Sequence, residues 1–385
     1  MPDRIRIGII GLGRMAKEFH LPALKKILRA QVVAAADPKP RLEKLAKGQG
    51  IGHFFADYQE MLEKVDLDLV LVCTPPWLHR EPVELCAKKG IAVFCEKPMA
   101  PTLEDCDQMI SACAAAQVPL YLGFIRRFDP GIERVRKAVH AGELGKVFAV
   151  QIEFNYWVPD YLSPPYSSIL AWAKDRLKID LDEMVGTWRV TDPKVGGGIF
   201  QDHGPHYADL LRYVLGDEIE TISAVVQKIV PSRAFEDQTA ALLKFRSGTS
   251  ASLQIGLATL PGRDFSESGL FHGTKASLKY NLSSWWFVFP QFFTIFHRNR
   301  LRKFSIYNYP INLWRPVFTG VLNNRWMGHR QMQAVISDLL GELPLEKKAQ
   351  LAFGIDGRKA MELVIGAYLS SEKNQMIGLG SGLNL

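Results

Sequence analysis

Ile5-Arg-Ile-Gly-Ile-Ile-Gly11-Leu-Gly13-Arg-Met-Ala16 is the stretch that determines how this chain begins to fold. Its first six residues form an apolar run typical of a parallel strand that is buried on both faces. The spacing Gly-x-Gly-x-x-Ala follows, and a helical pattern continues from Met15 to Leu28. Such glycines allow the backbone to approach a pyrophosphate, and the free N–H groups at a helix start favour an anion. The stretch therefore predicts a dinucleotide-binding turn between a strand and a helix.

Strand and helix patterns continue to alternate after this turn. Further elements are predicted as strands at Val32–Ala36, Leu69–Cys73, Ile91–Phe94 and Leu120–Leu122, and as helices at Glu81–Lys89 and Leu103–Ala116. Strands that alternate with helices pair in parallel through right-handed crossovers. The predicted fold class of residues 1–125 is therefore α/β, a Rossmann-type doubly wound parallel sheet.

The pattern changes near Phe124, where longer strands replace the alternation. Strand patterns lie at Val147–Glu153, Ile219–Ile229, Thr239–Phe245, Ser250–Leu257 and Ser277–Tyr280. Helical patterns lie at Pro130–His140, Tyr207–Leu215, His329–Leu340 and Ile355–Leu369. We expect residues 126–385 to form a second, α+β domain with a large, mainly antiparallel open sheet.

The acid at the end of the second predicted strand indicates which dinucleotide binds. Asp37 follows the glycine turn by about 20 residues, where a carboxylate holds the ribose hydroxyls of NAD and repels the extra phosphate of NADP. NAD is thus the predicted cofactor and residues 1–125 the NAD-binding domain, with NADP less favoured; Arg41 nearby complicates that preference. An alternative for Asp37 is a helix N-cap before Pro38. The predicted contacts from the turn itself are Gly11, Leu12, Gly13, Arg14 and Met15.

A lysine follows the strand predicted at Ile91–Phe94. Thr74-Pro75 ends one predicted strand and Glu96-Lys97-Pro98 ends the next, and ligands of open α/β sheets bind beyond the carboxyl ends of the strands. Lys97 is therefore predicted to lie where nicotinamide and substrate meet, where it could donate a hydrogen bond to a reacting oxygen. The alternative is an ordinary surface pair of Glu96 with Lys97.

A second group of polar residues follows three glycines in the second domain. Asp202 and His206 are four residues apart at the start of a helical pattern, which places them on one helix face. A histidine with a near-neutral pKa is suited to accept a hydroxyl proton, and a carboxylate can orient its ring. The glycines at 196–198 are expected to allow the backbone to approach a ligand. The alternative is an Asp N-cap and a core histidine.

These motifs together resemble the glucose–fructose oxidoreductase / inositol dehydrogenase / rhizopine-catabolism family. Besides the glycine turn, Asp37, Thr74-Pro75 and Glu96-Lys97-Pro98, the resemblance includes Gly123-Phe-Ile-Arg-Arg127-Phe-Asp-Pro130 and Gly196-Gly-Gly-Ile-Phe-Gln-Asp202-His-Gly204-Pro-His206-Tyr-Ala-Asp209. It covers residues 1 to about 280 and, more loosely, the last 50 or so. Residues 285–324 fit the family poorly. Tyr161–Thr187 is predicted to be an insertion that could cover the site and set specificity.

The resemblance implies an NAD(P)-dependent dehydrogenase that acts on CH–OH groups of sugars, glycosides or cyclitols. Catalytic roles fall to Lys97, Asp202 and His206, and the second domain would serve substrate binding and oligomerisation. The remaining candidate cofactor contacts are Arg41, Thr74, Pro75, His79, Glu96, Lys97 and Arg127. The candidate substrate contacts are Arg127, Tyr156, Trp188, Arg189 and His206, which could equally be interdomain pairs or packed aromatics. Two other functions stay open: an NAD-dependent glycosidase that oxidises its substrate transiently, and a non-catalytic NAD-sensing regulator.

The positive charge of the chain is concentrated in one segment. The net charge of the 385 residues is +7, and residues 268–337 contain nine Lys and Arg, no Asp or Glu, and 15 of the 40 aromatics. The rest of the chain therefore carries −2. Basic residues among aromatics could bind single-stranded nucleic acid, lie on an anionic membrane, or be buried against another subunit. The family resemblance favours the third, so we expect a homodimer or homotetramer through the second-domain sheet, with no nucleic acid and no membrane partner.

Terminal and cysteine patterns indicate the class and location of the protein. The N-terminus lacks a charged region followed by a long apolar run, and the apolar stretch at 285–296 is shorter than the roughly 20 residues of a spanning helix. The five cysteines include no Cys-x-x-Cys pair, so we expect buried, reduced thiols and no metal site. A cytoplasmic enzyme with a small polyhydroxylated substrate is the resulting prediction.

Overall fold

The computed structural model describes residues 4–155, 176, 192–231, 233–257, 266–283, 292–297, 300–305 and 319–380. The chain divides into two compact units. The first contains Met1–Phe128 and Leu322–Met361, and the second contains Asp129–Val321 and Glu362–Leu385. Each unit is built around its own β-sheet.

Six parallel strands form the sheet of the first unit, in the order β3-β2-β1-β4-β5-β6. They are β1 (Ile5–Ile10), β2 (Ala30–Ala36), β3 (His53–Phe55), β4 (Leu69–Val72), β5 (Ala92–Cys95) and β6 (Leu120–Leu122). This order is that of the doubly wound dinucleotide-binding fold, and it confirms the predicted parallel sheet. Both central strands are almost wholly apolar, since β1 and β4 are covered by helices on both faces.

The helices of the first unit connect these strands. They are a π-helical segment (Ala16–His20) that continues into α1 (Leu21–Leu24), then α2 (Leu42–Gly48), α3 (Tyr58–Lys64), α4 (Arg80–Lys88) and α5 (Leu103–Ala115). The helix predicted to reach Leu28 ends at Leu24. The N–H groups of Lys26 and Ile27 bond three residues back instead of four. Ile27 is then buried in the core, while Leu28 remains 86% exposed.

Residues 322–361 return to the first unit. They include most of α8 (Thr319–Leu339) and α9 (Leu345–Lys348). Met332, Val335 and Ile336 lie in the same hydrophobic core as the residues of β1. The hydroxyl of Tyr121 donates to Asp338 at 2.8 Å. This late segment therefore supplies part of the packing of the nucleotide-binding sheet.

Nine strands of the described residues form the sheet of the second unit, in the order β14-β13-β12-β11-β7-β10-β9-β8-β15. They are β7 (Val147–Asn155), β8 (Ile219–Gln227), β9 (Gln238–Phe245), β10 (Ser250–Gly256), β11 (Ser266–Gly273), β12 (Ala276–Ser283), β13 (Phe292–His297), β14 (Arg300–Ser305) and β15 (Ile377–Gly378). The strands β7 and β10 pair in parallel, whereas their neighbours pair antiparallel. The predicted large, mainly antiparallel sheet is confirmed.

The helices of the second unit pack on one another and on one face of this sheet. Those among the described residues are α6 (Pro130–His140), α7 (Ile199–Leu215) and the part of α10 (Gly354–Lys373) from Glu362 onward, since its earlier residues belong to the first unit. Asp129 caps α6 by accepting the N–H groups of Gly131 and Ile132, and Pro130 occupies the first helical position. The helix predicted from Tyr207 begins eight residues earlier at Ile199. Its start is hidden in the sequence by three glycines and by Pro205, which lies inside the helix.

All five cysteines are free, and four of them are buried. Burial raises the pKa of the Cys86 and Cys106 thiols to about 12 and that of Cys113 to about 11. It also raises the pKa of Cys73 and Cys95 well above the ordinary thiol value. These thiols are packing groups of the first unit.

The described residues contain neither a membrane-spanning helix nor a metal-binding cluster. No helix there combines the length and the apolar character needed to cross a membrane. No group of three or more His, Cys, Asp or Glu side chains there has an arrangement that could hold a metal ion. The side chains at 281–325, which include most of the basic aromatic segment, and the predicted insertion at 161–187, apart from Arg176, lie outside the described residues.

Candidate active site

The glycine turn of the first unit lies between β1 and the helical residues that follow it. Gly11 has a φ of +88°, which favours glycine, and a Cβ there would lie 3.0 Å from the backbone of Cys73 and Thr74. Gly13 differs, because a Cβ at its position would meet nothing within 4 Å. No side chain caps the helix start at Met15. Open space beside uncapped N–H groups suits the pyrophosphate of a dinucleotide.

Asp37, which follows β2, stabilises this turn through hydrogen bonds. One carboxylate oxygen accepts the N–H of Leu12 at 2.9 Å, and the other accepts the N–H of Lys39 at 3.0 Å. Asp37 is only 8% exposed, and the N-cap of α2 is Arg41, so Asp37 does not cap that helix. Because two carboxylate oxygens offer about four acceptor sites, these bonds leave capacity for ribose hydroxyls. The residues present therefore fit NAD.

Lys97 follows β5 at the carboxyl edge of the first sheet, and its bond to Pro98 is cis. Its neighbour Glu96 is 5% exposed and lies 2.6 Å from Nε2 of His20. The other carboxylate oxygen of Glu96 accepts the N–H of Lys97 at 3.2 Å. Burial alone would raise the pKa of Glu96, but the hydrogen bond and charge of His20 and the charge of Lys97 outweigh it and lower that pKa. A buried carboxylate thus fixes the backbone of Lys97.

His79 connects the loops that follow β4 and β5. Its side chain is fully buried, with Nε2 2.8 Å from the carbonyl oxygen of Thr74 and Nδ1 3.0 Å from that of Met99. Burial lowers the pKa of His79 despite the opposing effect of these carbonyls. His79 therefore acts within the described structure by joining the Thr74-Pro75 and Lys97-Pro98 loops. Its predicted contact with the cofactor stays a prediction.

The arginines predicted near the cofactor differ in their surroundings. Arg127 is 6% exposed, donates to the carbonyl oxygen of Leu351 at 2.7 Å and pairs with Asp356 at 3.1 Å. Arg14 pairs with Glu18 one helical turn later at 3.1 Å. These contacts lie within the first unit, and the predicted ligand contacts of Arg14, Arg41 and Arg127 stay predictions.

In the second unit, α7 carries both Asp202 and His206. Asp202 lies in the first turn and is partly exposed, and His206 lies one turn later and is 9% exposed. Between them, His203 has Nε2 3.5 Å from Oδ2 of Asp202, and its ring packs on Phe154 of β7 with centroids 4.4 Å apart. The helix thus presents a carboxylate and two imidazoles together. His203 lies within the motif Gly196–Asp209 but was not among the predicted site residues. An imidazole next to Asp202 is the sequence signal that could have identified it.

Glu267 of β11 supports the middle of the same helix. Its carboxylate accepts the hydroxyl of Tyr207 at 2.8 Å, and both side chains are buried. Glu267 lies opposite Phe154 in the register of β11 with β7, so both side chains are on the helix-covered face of the sheet. The separation of 60 residues between Tyr207 and Glu267 gives no local signal in the sequence.

Three predicted substrate contacts, Tyr156, Trp188 and Arg189, lie outside the described residues. Lys97 belongs to the first unit, whereas Asp202 and His206 belong to the second. Their common action on one substrate stays a prediction.

Two family models match the chain. A model described as an oxidoreductase family with an NAD-binding Rossmann fold matches residues 5–124. A GFO/IDH/MocA C-terminal domain model matches residues 132–279. The myo-inositol 2-dehydrogenase of Thermotoga maritima is 33% identical over 265 residues, which are 68% of this chain and 71% of the relative. This chain belongs to the GFO/IDH/MocA oxidoreductase family.

Other similar proteins agree with this membership. The scyllo-inositol 2-dehydrogenase (NAD(+)) of Bacillus subtilis is 27% identical over 312 residues, or 77% of this chain and 83% of the relative. A structure of an oxidoreductase from Agrobacterium radiobacter, in complex with NAD+, L-tartaric acid and magnesium, has a TM-score of 0.79 at 22% identity. It covers 99% of this chain and 100% of that chain, and the likeness concerns the fold.

Family membership confirms the predicted cofactor and enzyme class. The chain is an NAD-dependent GFO/IDH/MocA oxidoreductase of the CH–OH dehydrogenase type, with a Rossmann-type NAD-binding domain. The glycine turn and Asp37 are the residues that would hold NAD, and NAD supplies the hydride acceptor or donor when it is bound.

Proposed function

We propose that this chain transfers a hydride between a secondary alcohol carbon of a sugar, glycoside or cyclitol and NAD, with Lys97, Asp202 and His206 at the reacting centre. The observation that carries the proposal is the position of Lys97. It follows β5 at the carboxyl edge of an NAD-binding sheet, directly after a buried Glu96 that fixes its backbone. Ligands of such sheets bind at this edge.

The proposed roles follow from the chemistry of the side chains. When the alcohol carbon loses a hydride, the hydroxyl must lose its proton, and the imidazole of His206 accepts it. The ammonium of Lys97 donates a hydrogen bond to the same oxygen and stabilises the negative charge that develops there. Asp202 orients the pair and favours the charged imidazole. In the reduction direction the same groups return the proton.

The inositol dehydrogenases among the relatives support a small polyhydroxylated substrate, which is the coarse part of this proposal. A panel of inositols, free sugars, glycosides and nucleotide sugars with NAD or NADP tests it, with absorbance of the reduced cofactor as the readout. We expect turnover with at least one cyclitol or sugar and a preference for NAD. A glycosidase would release product without net accumulation of NADH, and binding of NAD without turnover on any compound would indicate a regulator.

We also propose that copies of the chain associate through the second-unit sheet as a homodimer or homotetramer. Leu242 and Val225 are 64% and 56% exposed on the same face of β9 and β8, opposite to the face that α7 covers. Exposed apolar residues on an open sheet favour burial against a partner. Light scattering after size-exclusion chromatography should give twice or four times the monomer mass, and Leu242→Glu should reduce it. The free thiols agree with a proposed cytoplasmic location.

A further inference from the structure

Glu236, which precedes β9, binds the start of the helix that carries Asp202 and His206. Its Oε2 accepts the N–H of Gly198 at 2.7 Å, and its Oε1 accepts the N–H of Phe200 at 3.0 Å. Its carbonyl oxygen accepts the N–H of Ile199, which lies between them, at 3.3 Å. One distant residue therefore satisfies three successive donors at the start of α7. The N-cap Gly198 has no side chain of its own with which to do so.

Tyr368 of α10 completes this arrangement. Its hydroxyl donates to Oε1 of Glu236 at 2.8 Å. Burial raises the pKa of Tyr368 well above its ordinary value, and the charge of Glu236 adds to the effect. The phenol therefore stays protonated and available as a donor.

The glycines before α7 make room for these two side chains. A Cβ on Gly198 would overlap the carbonyl oxygen of Glu236, and a Cβ on Gly197 would overlap the hydroxyl of Tyr368. The close approach that requires glycine here is therefore to the chain's own Glu236 and Tyr368.

A buried neighbour fixes the loop that presents Glu236. Asp237 is fully buried and accepts the N–H groups of Ile229 and Val230 at 2.7 and 2.9 Å. It also accepts a hydrogen bond from Nη1 of Arg233 at 3.0 Å. The hydrogen bonds of Asp237 hold this loop together. They therefore limit how far the neighbouring carboxylate of Glu236 can move.

The contacts continue from this loop to the proposed catalytic residues. The carbonyl oxygen of Gly198 accepts the N–H of Asp202 at 3.2 Å, and His206 lies one turn further along the same helix. A shift of the helix start therefore moves the carboxylate and the imidazole together. A misplacement of about 1 Å in a catalytic group can cost about 100-fold in rate.

We infer that Glu236 and Tyr368 are positioning residues that hold α7 in the orientation in which Asp202 and His206 act. This inference rests on the proposed function of those two residues. The glycines at 197 and 198 then serve to let Glu236 and Tyr368 approach the start of α7.

The test compares Glu236→Gln and Tyr368→Phe with a matched control, using the best substrate of the panel described above. The control is Glu218→Gln, which removes a carboxylate that pairs with Arg212 near the other end of α7 at 2.8 Å. For each variant, kcat, KM and the Kd for NAD are measured. The pKa of the His206 imidazole is followed by NMR with 15N-labelled histidine, assigned with His206→Gln.

We expect Glu236→Gln to lower kcat about 10- to 100-fold and Tyr368→Phe about 3- to 10-fold. NAD affinity should stay within about twofold of wild type, and the His206 resonance should shift in both variants. The double variant should lose less than the product of the two single losses, because both act on one contact. Glu218→Gln should stay within about twofold in kcat.

Two results would overturn the inference. One is a kcat within about twofold of wild type in both variants with an unshifted His206 resonance. The other is an equal loss in the Glu218→Gln control, which would indicate general weakening of the helix. Full activity of Asp202→Asn and His206→Gln would refute the proposed function instead. If no panel compound is turned over, the His206 resonance alone decides the inference.

Discussion

The two units hold the residues proposed to be catalytic in different ways. In the first unit, Lys97 lies on a loop after a strand, and its immediate neighbour Glu96 fixes it through a hydrogen bond to its N–H. In the second unit, Asp202 and His206 lie on a helix whose start is bound by Glu236. A change at the loop is therefore expected to act on one proposed catalytic group, whereas a change at the helix start acts on all groups that the helix carries.

The largest effect is expected from Lys97→Ala, which removes one group and leaves its surroundings. Loss of a donor to a developing negative charge costs about 10²- to 10³-fold in kcat. The Kd for NAD should stay within about twofold, as measured by quenching of tryptophan fluorescence. Weakened NAD binding would mean that this loop shapes the cofactor site as a whole, and the contrast with the helix would then fail.

Asp37→Asn is expected to affect cofactor binding next most strongly. The amide cannot accept both the Leu12 and Lys39 N–H groups, and it lacks the charge that repels the phosphate of NADP. We expect NAD binding to weaken about 10- to 100-fold, in line with about 1.5–3 kcal/mol for a hydrogen bond to a charged group, and the preference for NAD over NADP to decrease. Calorimetry with both cofactors measures this.

A matched control for that variant is Asp57→Asn. Asp57 also accepts a backbone N–H, that of Gln59, but at the start of α3. Because Asn caps a helix about as well as Asp, this variant should change neither the stability nor the Kd for NAD appreciably. Equal losses of affinity in the two variants would contradict a specific role for Asp37.

Glu267→Gln tests whether the middle of α7 matters as much as its start. The Tyr207 hydroxyl would keep a neutral acceptor in place of a charged one, so the free energy of unfolding should fall by about 1 kcal/mol. We expect kcat to fall only about two- to threefold. A loss as large as that of Glu236→Gln would show that the helix is positioned along its length. Chemical denaturation and kinetics of Glu267→Gln and Tyr207→Phe together provide the measurement.

The smallest effect concerns pH and His79. Because burial lowers the pKa of His79 in the folded chain, the unfolded chain binds more protons below the ordinary value of 6.5. The contribution of neutral His79 to the free energy of unfolding is then fully present above pH 6.5 and is lost as the pH falls below that value. Between about pH 7.5 and about pH 5.5, Tm should fall less steeply in His79→Gln than in wild type. Identical slopes would indicate that His79 is protonated in the folded state.

The candidate residues of the first unit are more predictable from the sequence than those of the second. The glycine turn, Asp37 and Lys97 could be placed at one sheet edge because each follows a strand whose apolar pattern is clear. The glycines before α7 were recognised as sites of close approach, but the approaching groups are Glu236 and Tyr368. Those residues are 38 and 171 positions from Gly198 or Gly197, so no periodicity or local spacing links them.

The same limit applies to the fold. Strands such as β1 were predictable from continuous apolar runs, whereas α7 was found only from Tyr207 onward, because glycines and Pro205 obscure its first two turns. The return of Val335 and Ile336 to the core of the first unit depends on contacts across more than 300 residues. Such packing depends on tertiary structure, so the sequence of either segment alone does not predict it.

The free cysteines give the chain a practical property. Maleimide reagents attack the thiolate, and burial raises the pKa of all five thiols, so the native residues should react slowly near neutral pH. A pair of cysteines introduced on the surface, one in each unit, could then carry fluorescent labels without removal of any native thiol. Energy transfer between such labels would report directly whether NAD changes the separation of the two units in solution.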